Sequence, residues 1–148
     1  MTKTLTFKYC WVHLSPGYTE TIFHDGTRVT AVPENSDTYR EKARRYGYGE
    51  DIAALSREHE VLHTLLAERL RDTGSPALWA VAHGQQEQVA PLWEQEEEEA
   101  LVLAFQSYLN GAPPGPELDR LRATGSGGDH SAPSLESLRD EALALLRP

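Results

Sequence analysis

Across the 148 residues, the feature that most limits the fold is a helical pattern running without interruption from Asp51 to Arg71. Ile52, Leu55, Leu62, Leu66 and Leu70 recur at three-, four- and seven-residue intervals, which puts them on one face of an α-helix and commits that face to a core. Asp51 is suited to capping the amino end, and no glycine or proline intervenes before Thr73-Gly74. The rest of the chain must supply partners for one long, one-sided helix.

The segment before it reads as a sheet. Leu5 to Leu14 is rich in aromatic and β-branched residues and predicts one strand, ended by Ser15-Pro16-Gly17. Tyr18–Phe23 and Thr27–Val32 predict two more, joined by His24-Asp25-Gly26, where Asp-Gly favours a tight hairpin. A short charged helix, Asp37 to Tyr46, follows and is broken by Tyr46-Gly47-Tyr48-Gly49. Beyond the long helix, Ser75-Pro76 opens a short one over Ala77–His83. Pro91 opens a longer one to Leu109, with Leu101, Phe105, Tyr108 and Leu109 on its buried face and Asn110-Gly111 closing it. Residues 111–133 are rich in Pro, Gly and Ser and read as a linker. Ser134 to Leu146 is an amphipathic helix that either packs back or docks elsewhere. The expectation is an α+β fold: a small antiparallel sheet of about three strands followed by packed helices. Its units are a compact domain over 1–110, a linker over 111–133 and a C-terminal helix over 134–148.

Composition narrows the function classes. The formal net charge is −9, and residues 73–148 hold four Lys/Arg against twelve Asp/Glu. That half, densest at Glu94 and Glu96–Glu99, would repel phosphate and anionic membrane. The basic group Arg40, Lys42, Arg44 and Arg45 shares its helix with Asp37 and Glu41, which suits a solvated face better than a nucleic-acid contact. Neither nucleic acid nor membrane is expected as a partner. A protein partner of the acidic half or of the C-terminal helix is the alternative. Cys10 is the only cysteine, no stretch approaches the roughly 18 apolar residues of a membrane span, and the N-terminus lacks a signal-like apolar block, so a cytoplasmic protein is expected.

Inside the long helix lies His59-Glu60-Val61-Leu62-His63, an HExxH sequence. Residues four apart on a helix have Cβ atoms roughly 5–6 Å apart, so both imidazoles can hold one zinc ion. Glu60 projects about 100° around the helix, beside such an ion, where it can act as a general base. Both histidines fall on the apolar stripe; without a metal they would need two separate sets of hydrogen-bond partners. A catalytic zinc takes a third protein ligand, and His83 at the end of the 77–83 helix is the leading candidate. Glu97 or Glu98, on the flank of the Leu101/Phe105 stripe, is the runner-up. Tyr46 and Tyr48 read as turn aromatics over the core, with a role in polarising a carbonyl as the lesser alternative.

The motif resembles that of the zincin metallopeptidases, whose active-site helix carries HExxH with zinc on the two histidines. The likeness covers these five residues and the order of strands before the helix. It implies Zn2+ on His59 and His63 with Glu60 as catalytic base. His83 follows at an interval similar to that of the third ligand in some zincins, and a glutamate on a following helix is the choice of the gluzincin branch. Arg57 departs from the pattern, which prefers an uncharged residue there, and the glycine-and-histidine extension of metzincins is absent. Separately, Ser75-Pro76-Ala77-Leu78-Trp79-Ala80-Val81-Ala82-His83-Gly84 is similar to a stretch in small proteins of bacteriophage and prophage genomes, which implies no activity. Three readings follow: a zinc-dependent hydrolase, a purely structural zinc site, or a non-enzymatic acidic interaction or inhibitor protein.

Overall fold

The computed structural model describes residues 2–24, 26–71, 95–116, 118 and 134–148, without the side chains of 70, 71 and 95–98. Four antiparallel strands, β1 (Lys3–Thr6), β2 (Cys10–Ser15), β3 (Tyr18–Phe23) and β4 (Arg28–Ala31), form a meander in that order. The arrangement is α+β, with four strands where the pattern suggests three. The stretch read as one strand over Leu5–Leu14 folds back at Lys8-Tyr9, so that Thr6 pairs with Trp11 and the Phe7 N–H donates to the Cys10 carbonyl at 2.9 Å.

That turn contains no glycine, proline or asparagine, and its support comes from far along the chain. The carboxylate of Glu68 accepts the backbone N–H of Lys8 at 2.9 Å and of Tyr9 at 2.8 Å. The β3–β4 connection follows local rules instead. Gly26 donates its N–H to the Phe23 carbonyl and sits at φ 93°, the left-handed position that closes a three-residue hairpin loop.

Strand alternation sorts the sheet into two faces. Leu5, Val12, Thr21 and Val29 pair in one row across all four strands and face the core. Thr4, His13, Glu20 and Thr30 form the neighbouring row on the other face.

The described helices are α1 (Asp37–Arg45), α2 (Ile52–Arg71), α3 (Gln95–Leu109) and α4 (Leu135–Leu146). Caps set their starts: Ser36 accepts from the Tyr39 N–H, Asp51 from Ala54, and Ser134 from Ser137. Helix α2 lies on β3 and β4 and is contacted by α1, α3 and α4. Every residue from Val61 through Glu68 is buried. The stripe read from the sequence has become burial on all sides, because α3 and α4 cover what the sheet leaves open. Leu135, Leu138 and Ala142 of α4 join the same core as Leu62, Leu66, Val102 and Phe105.

Past α4, Arg147 reaches back to Glu58 on α2, with Nη2–Oε1 at 2.8 Å and Nε–Oε2 at 3.0 Å. Of the expected linker, residues 111–116 and 118 are described; the rest, and the expected 77–83 helix, lie outside the described residues. Among the described residues, no helix is long and apolar enough to cross a membrane.

Glu68 is the tie between α2 and the β1–β2 turn, and its loss is measurable. Glu68→Ala removes two charge-assisted hydrogen bonds and should lower stability by about 2–3 kcal/mol in urea unfolding. A loss below about 0.5 kcal/mol would mean that the turn holds itself.

Candidate metal centre

One helical turn separates His59 from His63, and the two rings face each other edge-on, centroids 4.6 Å apart at 82°. Their Nε2 atoms are 3.0 Å apart. Helix α3 runs antiparallel to α2 here, since Gln106 meets Leu55 and His59 while Glu99 meets His59 and His63. Glu99 Oε1 lies 2.7 Å from His63 Nε2, and Glu99 Oε2 lies 3.0 Å from His59 Nε2. Two imidazole nitrogens and a carboxylate thus converge, all within 4.8 Å of one another, and this group could hold a metal ion.

The spacings of 2.7–3.0 Å are hydrogen-bond lengths, and a small shift outward reaches the roughly 3.3 Å between donors of a tetrahedral ion with bonds of about 2.0–2.1 Å. Hydrogen-bonding capacity points the same way. Two ring nitrogens and an acid are directed at one point, where a shared cation or protons on the rings must hold them together.

Burial grades across the group. The His63 side chain is 3% exposed, that of His59 13% and that of Glu99 40%, so the centre opens toward solvent on the α3 side. The Glu99 carboxyl is held well below the usual carboxylate range. Its burial works against this, but with both rings protonated their hydrogen bonds and charge outweigh the desolvation.

Glu60, next to His59, is half-buried. Its charge bears on the phenol of Tyr39 in α1, as does that of Glu99. Burial raises the pKa of that phenol, which hydrogen-bonds Ser56, and the charges of Glu60, Glu34 and Glu99 add to the rise.

The structure places the remaining candidates as follows. His83 lies outside the described residues, as do the side chains of Glu97 and Glu98. The glutamate brought to the histidines is Glu99, which the sequence reading passed over. It stands three residues before Val102 and seven before Gln106, both fully buried, so all three share one face of α3. Tyr48 is more than a turn aromatic: its hydroxyl donates to Glu58 Oε1 at 2.6 Å. Tyr46 contributes its backbone carbonyl, which accepts from Asn110 Nδ2 at 2.9 Å. His13 and His24 sit with the sheet, His13 beside Thr4 and His24 against the Trp11 ring. His130 lies outside the described residues.

No protein-family model, curated protein or solved structure matches the chain. Geometry alone therefore nominates the third donor, and Glu99→Ala tests it. Zinc affinity, read by competition with a chromophoric chelator, should fall by more than roughly 100-fold, beyond what loss of a supporting group costs. Unchanged affinity would pass the third-ligand role to His83.

Proposed function

We propose that this chain is a zinc-dependent hydrolase, with the metal on His59, His63 and Glu99 and with Glu60 as general base. The observation that carries the reading is the convergence of two imidazole nitrogens and one carboxylate from α2 and α3, with half-buried Glu60 next to His59 in the sequence. Two imidazoles and one carboxylate form a donor set used by catalytic zinc, which keeps a further position open. The 40% exposure of Glu99 favours such an opening over a closed structural site.

A zinc ion held by His59, His63 and Glu99 would supply Lewis acidity for activating water. The chain's own groups do the rest. His59 and His63 are fixed on a helix buried among core residues, so the donors are held before any metal arrives. Glu60 accepts the proton of the attacking water and returns it to the leaving nitrogen or oxygen of an amide or related bond.

Glu60→Gln separates catalysis from binding. The variant should keep its zinc and its thermal stability while hydrolysis of a mixed-sequence fluorogenic peptide library falls by about 10²–10⁴-fold. Wild-type hydrolysis that survives Glu60→Gln unchanged would remove Glu60 from the reaction.

A further inference from the structure

The side-chain amide of Gln106 has its orientation decided for it. Gln106 is fully buried, and its Nε2 donates to the Leu55 carbonyl at 3.1 Å, a group that can only accept. The same nitrogen donates to the Tyr48 hydroxyl oxygen at 3.0 Å. Tyr48 can receive it because its own proton is directed to Glu58 Oε1, 2.6 Å away. Glu58, 3% exposed, is in turn held by the guanidinium of Arg147. The chain Arg147–Glu58–Tyr48 therefore fixes which end of the amide is oxygen. That oxygen, Oε1, lies 2.9 Å from His59 Nδ1. Being an acceptor, it requires the proton on Nδ1. A neutral His59 then directs the lone pair of Nε2 toward His63 and Glu99.

We propose that Gln106 is a positioning residue that places the His59 proton on Nδ1 and so presents Nε2 to the metal, with Tyr48, Glu58 and Arg147 holding Gln106 in place. The effect on affinity rests on the zinc reading above, whereas the protonation pattern is measurable without any metal.

Two readouts on the full-length protein test this. In metal-free protein, at a pH where the 15N shifts report a neutral ring, long-range 1H–15N NMR should find the His59 proton on Nδ1 and none on Nε2. In Gln106→Leu that proton should move to Nε2, where Glu99 can accept it. A bare Nδ1 in the wild type overturns the proposal. Zinc affinity, measured with zinc alone against a chelator, should fall roughly 10–100-fold in Gln106→Leu. It should fall less, but by roughly 3-fold or more, in Tyr48→Phe, which keeps the Leu55 anchor and leaves the core filled. Unchanged affinity in both variants also overturns it. If Gln106→Leu fails to fold, the wild-type proton position and Tyr48→Phe still decide. If the wild type takes up no zinc, the metal reading fails by itself, and the proton position alone decides the role of Gln106.

Discussion

Every polar group that a helix buries must find a partner. Helix α2 buries Ser56, Glu58, His63, Thr64 and Glu68 along with its apolar residues. Leaving any one of them unpaired would cost on the order of 1–3 kcal/mol, more for a charged group. Each therefore reaches a different part of the fold. Ser56 meets Tyr39 of α1, Glu58 meets Tyr48 and Arg147, Thr64 meets Cys10 of β2, and Glu68 meets the β1–β2 turn. His63, with His59 beside it, meets Glu99 of α3. Apolar burial supplies the drive to cover α2, and these polar contacts fix its rotation and depth against each neighbour.

The same constraint gives the candidate centre its rigidity. His59 and His63 stand on the most enclosed helix of the described chain, next to the fully buried Val61 and Leu62. Glu99 is aligned by the face of α3 that also buries Val102 and Gln106. The only cysteine plays no part in it. Burial, with the charge of Glu68 adding to it, raises the Cys10 thiol to about 11 despite a hydrogen bond to Thr64. At neutral pH it is an inert thiol in the core. Imidazole nitrogen and carboxylate oxygen are the donor atoms gathered at the centre, a set that could hold a divalent metal ion.

What the sequence revealed and what it hid divide along local and non-local lines. The α2 pattern, its Asp51 cap and the HExxH spacing are local, and each is legible from neighbouring residues. The apolar face of α4 was legible for the same reason. The fold-back at Lys8-Tyr9 was not, because the groups that hold it belong to Glu68, 60 residues away from Lys8. Glu99 was missed for a related reason. Placed within a run of four glutamates, it is distinguished from Glu97 and Glu98 only by its place on α3, on the flank of the correctly read Leu101/Phe105 face and in line with Val102 and Gln106. The row Glu99–Val102–Gln106 was the available signal. It becomes visible only once a buried glutamine is entertained, and the partner that requires one is His59, 47 residues away.

The central claim is that His59, His63 and Glu99 hold a zinc ion. Elemental analysis of the untagged protein, purified without chelators, tests it most directly, with the His59→Ala/His63→Ala double variant alongside. The account predicts about one zinc per chain in the wild type and none in the variant. A metal-free wild type that takes up no added zinc would contradict it, and would leave the two histidines and Glu99 as a proton-linked structural cluster between α2 and α3.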